Sequence, residues 1–228
     1  MGQIPNFKPS KQGLPYSNSW DHYPDITIKL PRPFGSIKIG DASNGLCGGM
    51  VFAVRDLYEA HKLPPPGKPQ EGSPAFDYLV NRLFASFDLP EGVAKYYAWM
   101  NLPAHDTVLG PHGTSWRTIR QTMPPLRRSI DAGHPVPLGL VCVHSADPTL
   151  LGKNHHVLAW AYTDRGTTTT VKIYDPNAPG DDSANITFNN NNPKHTTAFQ
   201  YSGGEHVFGF FTVPYRSRKP DPLFSPTR

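Results

Sequence analysis

Apolar residues in the first half of the chain recur every three or four positions, the spacing that places them on one face of an amphipathic helix. The longest such stripe is followed by a run of three prolines at residues 64–66. Proline lacks the N–H that an α-helix needs, so the helix is expected to end before this run. The predicted helices cover residues 47–61, 74–88 and 92–100, followed by one that Ser115 caps and another that begins at Pro125 and ends at Gly133.

From Val136 onward the pattern changes to the short runs of branched and aromatic residues that are typical of β-strands. Five strands are predicted there, at residues 136–143, 155–163, 167–175, 185–188 and 206–213, and a short one at residues 26–30. Helices therefore come first and strands last. This segregation predicts an α+β fold with a mainly antiparallel sheet, because a parallel sheet needs strands and helices that alternate.

The 228 residues, of which 37% are hydrophobic, fit one domain that spans the whole chain. Residues 1–24 and 215–228 are rich in proline and polar residues and are expected to be extended or loose arms. The net charge of +4 is too small and scattered to indicate a nucleic-acid surface. Four basic residues near the C-terminus favour a solvated tail over a docking motif: Arg216, Arg218, Lys219 and Arg228.

Neither a signal peptide nor an apolar stretch of membrane-spanning length is found in the sequence. The protein is therefore expected in the cytoplasm, or exported by a dedicated secretion system, and away from membranes. In a reducing compartment Cys47 and Cys142 are expected to be free thiols. Cys142 lies inside an apolar predicted strand and is interpreted as a core residue.

Cys47 is the candidate nucleophile, since a flexible turn leads from it straight into the longest predicted helix. Unpaired N–H groups and the helix dipole lower the pKa of a thiol in that position. Gly48 and Gly49 are interpreted as room for a substrate backbone. The competing interpretation is a small buried cysteine at the start of a core helix, with glycines that only permit a tight turn.

A predicted hairpin supplies the candidate base and acid. With its turn centred on Arg165, His155 stands directly across from Asp175, so the carboxylate can orient the imidazole. The same register places His156 on the opposite face, away from the helix that begins at Cys47, which favours His155 as the base. A shift of one residue in the turn would exchange the two histidines, and a structural ion pair is the simpler alternative to a catalytic one.

Three stretches carry a resemblance: residues 45–50, which open a long helix; residues 132–139, which lead into a strand; and residues 154–162, followed by Tyr174, Asp175 and Pro176. In this order they resemble papain-like cysteine peptidases, in particular a bacterial branch related to the peptidases that cut double-glycine leaders. The resemblance implies a Cys-bearing helix packed on the sheet and the order Cys, His, Asp. The family usually has an oxyanion-hole Gln six residues before the Cys. This chain has Asp41 there, and Asn44 is the candidate donor instead.

The predicted function is a cysteine-dependent peptidase or amidase that uses Cys47, His155 and Asp175 on a peptide or isopeptide bond of a peptide or protein substrate. The alternatives are a transglutaminase-like acyltransferase or deamidase and a non-catalytic papain-like binding module. Nucleic-acid binding through the basic tail is a third, weaker hypothesis. No cofactor is expected, and the loop with His105, Asp106 and His112 lacks the spacing of a metal site.

Overall fold

A computed structural model describes residues 1–20, 26–29, 36–39 and 45–225. Within these residues, seven strands form one antiparallel sheet and two more form a separate hairpin. The strands are β1 (Gly2–Gln3), β2 (Ile26–Lys29), β3 (Ser36–Ile39), β4 (Val136–Val141), β5 (His155–Arg165), β6 (Thr168–Tyr174), β7 (Asn185–Asn189), β8 (Gln200–Tyr201) and β9 (Gly209–Thr212). The large sheet has the order β8-β7-β6-β5-β4-β9, with β1 paired to β5, and β2 pairs with β3.

The longer helices fall where the hydrophobic pattern predicts them, within a few residues, whereas a four-residue helix near the N-terminus was not predicted. The helices are α1 (Pro9–Gln12), α2 (Cys47–Glu59), α3 (Pro74–Ser86), α4 (Glu91–Met100), α5 (Thr114–Trp116) and α6 (Met123–Asp131), with a π-helical turn at Arg117–Thr122 and 3-10 turns at Pro148–Lys153 and Asp221–Phe224. The predicted α+β class with an antiparallel sheet is confirmed. In the described part of the chain, no helix has both the length and the apolar character needed to cross a membrane.

The two helices predicted from Ser115 and Pro125 are one continuous helical segment, from α5 through the π turn to α6. Pro124 and Pro125 lack the N–H that an uninterrupted α-helix would use at this point. At the wide turn the amide of Met123 donates instead to the carbonyl of Thr118, five residues back. The wide turn thus carries the helical segment past the prolines where the sequence predicted a break.

The large sheet is strongly curled. Phe188 on β7 and Phe210 on β9 lie four strands apart in the sheet order, yet their ring centroids are 5.9 Å apart. A flat sheet would separate strands four steps apart by about 19 Å. An isolated bridge between Phe199 and Val207 follows the same curl. The sheet is therefore a half-barrel with an aromatic interior, and α4 packs on its outer side, where Tyr96 and Trp99 contact His156 and Phe211.

Gly48 and Gly49 serve the packing of α2 on α3, which corrects the interpretation that they make room for a substrate. A Cβ on Gly49 would lie 2.2 Å from the backbone oxygen of Leu79, and one on Gly48 would lie 2.1 Å from Oγ of Ser86. Both neighbours belong to α3. Glycine is needed at position 49 because a side chain there would meet backbone and separate the two helices, whereas at position 48 it would meet a side-chain hydroxyl.

The N-terminal arm lies over the body of the protein, and the described residues 1–20 are anchored at several points. β1 pairs with β5, and Ile4, Phe7 and Leu14 are fully buried. Farther along, the amide of Asn18 donates to the carbonyl of Pro176, next to the candidate acid. The arm is therefore part of the core, although its composition is typical of a loose segment.

The C-terminal segment is also anchored as far as residue 225, so it is not a loose arm, although the side chains of Arg216, Arg218 and Lys219 are exposed as predicted. The carboxylate of Asp56, buried in α2, accepts hydrogen bonds from the amide of Arg218 and the hydroxyl of Tyr215. It also pairs with Arg82 of α3 at 2.7 Å, and each of the two side chains is at most 1% exposed. The segment follows α2 and α3 because a buried charge needs these partners.

Candidate active site

Cys47 is the first residue of α2, and its side chain is buried, with 8% of the residue exposed. No side chain caps this helix, and the first intrahelical bond runs from the amide of Met50 to the carbonyl of Leu46. The amides of residues 47–49 are therefore without intrahelical acceptors, as at any helix N-terminus. They direct partial positive charge toward the thiol and toward any oxyanion that forms beside it.

His155 and Asp175 are brought together as the hairpin predicts, with Nε2 of His155 2.9 Å from a carboxylate oxygen of Asp175. Asp175 is 1% exposed and also accepts hydrogen bonds from the hydroxyl of Tyr201 and the amide of Asn177. Because Nε2 is occupied by the carboxylate, Nδ1 is the nitrogen of His155 left for the thiol. The carboxylate thus fixes the tautomer and the orientation of this imidazole.

The register that produces this pair differs from the predicted one. The hairpin turn consists of Gly166 and Thr167, and a β-bulge interrupts the ladder between Ala159 and Ala161. The ladder ends at the pair of Leu158 and Tyr174, so the next residue, Asp175, lies across from Val157 and not from His155. The contact with His155 is diagonal, within reach of two long side chains.

His156 also contacts the thiol, which corrects the prediction that it points away from α2. Its Nδ1 is 4.0 Å from Sγ of Cys47, the long end of a sulfur hydrogen bond, and its Nε2 is 3.3 Å from the hydroxyl of Tyr96. The prediction chose the wrong face of β5, because small apolar residues were expected to pack on the helix. The larger residues face the helical side instead: the ring of Trp160 packs at a tilt against Phe7, which in turn packs edge-on against Tyr58 of α2.

The two imidazoles dominate the electrostatics of the site. Burial alone would raise the pKa of the Cys47 thiol, but hydrogen bonds and charge from His155 and His156 lower it to about 5. Burial likewise disfavours the imidazolium of His155, but its hydrogen bonds to Asp175 and Cys47 raise its pKa to about 10. The pKa of Asp175 stays below its ordinary value, because His155 and Tyr201 outweigh burial. A thiolate paired with an imidazolium is therefore the favoured state at neutral pH.

Cys142 contrasts with Cys47 in each of these respects. Both are free thiols, but Cys142 follows β4, and its amide donates to the side-chain oxygen of Asn154. Burial raises the pKa of Cys142 to about 12. Cys142 was predicted to be a core residue; its side chain is partly buried and packs against the core. The chain thus carries an internal reference thiol with the opposite pKa shift.

Comparisons with models of protein families, with characterised proteins and with solved structures find no match to this chain. The chemistry of the site therefore carries any functional assignment.

Sequence reasoning missed the tyrosines that support the two histidines. Tyr96 lies on α4, 60 residues before His156, and Tyr201 lies on the short strand β8, 26 residues after Asp175. No local pattern marks either residue, since a lone tyrosine in a helix or strand is usually a core residue. The only hint is Gly139 inside β4, where a Cβ would lie 2.3 Å from the hydroxyl of Tyr96.

The remaining predicted residues lie apart from the thiol or outside the described residues. Asn44, the candidate oxyanion donor, and Asp41 are outside the described residues. Asp106 and His112 form an exposed pair at 2.7 Å, and His112 stacks on Trp116. Nothing in the geometry connects this loop to the chemistry of Cys47.

Proposed function

We propose that this protein is a cysteine-dependent hydrolase of the papain-like type, acting on a peptide or isopeptide bond. The observation that carries the proposal is one buried thiol at an uncapped helix N-terminus, next to an imidazole that is itself held by a buried carboxylate. Nucleophile, base and orienting acid are the three parts of this chemistry. A structural ion pair would need the histidine and the aspartate but would not need a thiol of lowered pKa.

In the proposed reaction the Cys47 thiolate attacks the carbonyl carbon of the scissile amide, and the carbonyl oxygen becomes an oxyanion near the first amides of α2. The imidazolium of His155 gives its proton to the leaving amine as the C–N bond breaks, which leaves a thioester on Cys47. Neutral His155 then takes a proton from water, which attacks the thioester. Release of the acid product regenerates the thiolate and the imidazolium.

The pH dependence follows from the signs of the two shifts. Activity is expected to rise as Cys47 loses its proton, with a pKa of about 5, and to fall as His155 loses its proton, with a pKa of about 10. The two groups interact strongly, so these limits describe the pair and not each residue alone. A broad plateau around neutral pH is the expected profile.

The decisive experiment is trapping of the nucleophile, with Cys142 as the internal control. A peptide that carries a vinyl sulfone in place of its scissile carbonyl should modify Cys47 only, as read by mass spectrometry of proteolytic fragments. Asp175→Asn should slow the modification, because the imidazole loses its orienting partner. Modification of both cysteines at equal rates, or of neither, would contradict the proposal.

An acyltransferase or deamidase would use the same three residues, because the acyl acceptor and the substrate pocket, and not the triad, decide the product. A deamidase, like a peptidase, uses water as the acceptor, so competition between an amine and water separates acyl transfer from hydrolysis. If the acyl group held on Cys47 passes mainly to an added primary amine, the reaction is acyl transfer. If the amine leaves the rate of peptide hydrolysis unchanged, the reaction is hydrolysis. A binding module without activity would give no thioester in either case.

A further inference from the structure

His156 occupies a position that the triad does not explain. Its side chain is buried, yet Nδ1 reaches Sγ of Cys47 at 4.0 Å while Nε2 reaches the hydroxyl of Tyr96 at 3.3 Å. A buried imidazole with both nitrogens engaged has a defined tautomer, set by its two neighbours. The sulfur thus has an imidazole from each of two consecutive residues.

The hydroxyl of Tyr96 selects between the two tautomers. It lies 3.3 Å from Nε2 of His156 and 3.3 Å from the backbone oxygen of His155, and it has one proton to donate. If it donates to the backbone oxygen, Nε2 of His156 carries the proton and Nδ1 turns a lone pair toward the sulfur. If it donates to Nε2, then Nδ1 carries the proton and donates to the sulfur.

A lone pair facing a thiolate is repulsive, whereas an N–H facing it forms a charge-assisted hydrogen bond. We propose that Tyr96 donates to Nε2 of His156, so that Nδ1–H of His156 is a second hydrogen-bond donor that holds the Cys47 thiolate for attack. His155 remains the group that transfers the proton, because it is the one paired with Asp175. This inference rests on the proposed function and gives the two imidazoles different roles: His155 transfers the proton, and His156 donates a hydrogen bond to the thiolate.

The packing around His156 holds Tyr96 against its imidazole. Gly139 pairs with His156 across β4 and β5, and a Cβ there would lie 2.3 Å from the hydroxyl of Tyr96. The ring of Tyr96 packs edge-on against that of His156, with centroids 5.5 Å apart, and Phe87 at the end of α3 flanks the imidazole. The absence of a side chain at Gly139 therefore gives the hydroxyl of Tyr96 the space it occupies next to His156.

Other titratable groups around the thiol must be held constant in any test of this role. They lie on β5, on α4, after β4 and at the end of β6, and are His155, His156, Tyr96, Cys142, Tyr174 and Asp175. Variants are therefore compared in one common background, so that only the tested residue differs between them.

The test is the pH at which Cys47 becomes reactive, measured in a Cys142→Ala background with a dipyridyl disulfide. His156→Phe removes the donor, and the inflection is expected to move upward by about one pH unit, a tenfold loss of thiolate below the inflection. His156→Asn places an amide N–H near the position of Nδ1 and should restore most of the shift. His195→Phe, an exposed histidine in a loop, is the matched control and should change nothing.

The tautomer is read directly by nitrogen-15 NMR of histidine-labelled protein with both cysteines in place. In the wild type, His156 is expected to carry its proton on Nδ1, because a lone pair on that nitrogen would face the thiolate of Cys47. This readout does not depend on how well the His156 variants fold.

The outcomes separate the inference from the proposed function. A wild-type inflection at the value of an ordinary thiol removes both. A low wild-type inflection that His156→Phe leaves in place, or a proton on Nε2 in the wild type, overturns the role of His156 and leaves the triad standing. A raised inflection restored by His156→Asn, with the proton on Nδ1, supports the second donor.

Discussion

Replacing the two cysteines one at a time separates two thiols whose environments shift their pKa values in opposite directions. Cys142→Ala leaves only Cys47, with a pKa of about 5, and Cys47→Ala leaves only Cys142, with a pKa of about 12. The perturbation is then pH itself, and the measurement is the rate at which each single-thiol protein reacts with a dipyridyl disulfide. Release of thiopyridone reports that rate by absorbance.

The shape of the profile carries more information than the rate at any one pH. At pH 6 a thiol of pKa 5 is about 90% thiolate, and an ordinary cysteine of pKa 8.5 only about 0.3%. Thiolates of lower basicity are weaker nucleophiles, by about 25- to 50-fold over this difference in pKa. Cys47 should therefore react several-fold faster than a free thiol at pH 6 but no faster near pH 7.5.

The expected result is a rate for Cys47 that is nearly flat from pH 6 to 8, while that of Cys142 rises about tenfold per unit, as it does for any thiol far below its pKa. His155→Asn should move the inflection of Cys47 upward, since the imidazolium is a principal cause of the shift. A Cys47 rate that rises tenfold per unit over the same range would refute the thiolate–imidazolium pair, and with it the proposed mechanism.

Three further predictions concern the acid of the triad and the packing behind the site. Asp175→Asn should lower the rate of peptide hydrolysis by about 10³-fold with little change in fold, measured by kcat and circular dichroism. Gly49→Ala should lower the free energy of unfolding in urea by about 1–3 kcal/mol, because the backbone of Leu79 blocks the new methyl group. Gly48→Ala should lower it less, because the hydroxyl of Ser86 can rotate away. Equal losses of unfolding free energy in the two variants would contradict this account of the packing. Asp56→Asn should lower the free energy of unfolding by about 3–5 kcal/mol, because it breaks a buried ion pair with Arg82. Glu59→Gln breaks a more exposed pair with Arg55 and should lower it by under about 1 kcal/mol. Similar losses in the two variants would refute the distinction between a buried and an exposed pair.

The longer elements of the fold were predictable because each depends on residues close together in the sequence, whereas α1, β1, β3 and β8, of two to four residues each, were not predicted. The apolar stripe that follows Cys47 defines α2 to within two residues, and the change of period at Val136 marks the first core strand. The separation of helices from strands predicts the antiparallel sheet. Its curl was not predictable, because it depends on contacts such as that of Phe188 with Phe210, between strands that lie four steps apart in the sheet.

The anchoring of the arms was also invisible in composition. A segment rich in proline and polar residues is on average loose. Here a few large residues override the average: Phe7 is fully buried against Trp160, and Leu223 is buried in the C-terminal segment. Asp56 adds a buried charge that Arg82 of α3 pairs with and that the returning chain satisfies further, through Tyr215 and the amide of Arg218. Such partners appear only once the chain is folded.

The candidate triad was predictable as a set of residue types, but its geometry was not. His155 and Asp175 meet although the predicted register is wrong, because long side chains tolerate a diagonal pairing. The β-bulge at Trp160 that shifts the register has no signal in a sequence of alternating residues. The orientation of His156 failed for a related reason, since the size of neighbouring side chains did not indicate which face of β5 the helices cover.

Consecutive residues of a strand point to opposite faces, so two neighbours can act on one sulfur only where the strand begins, at the edge shared by both faces. His155 and His156 are the first two residues of β5, and Cys47 is the first residue of α2. The site is therefore a meeting of element termini and not of element faces. The hydrophobic pattern of a helix or strand predicts which of its faces is buried. The loops that bring the ends of these elements together have no such periodic pattern. The sequence can thus indicate which residues belong to the site, while the sharing of one thiol between two imidazoles requires the three-dimensional structure.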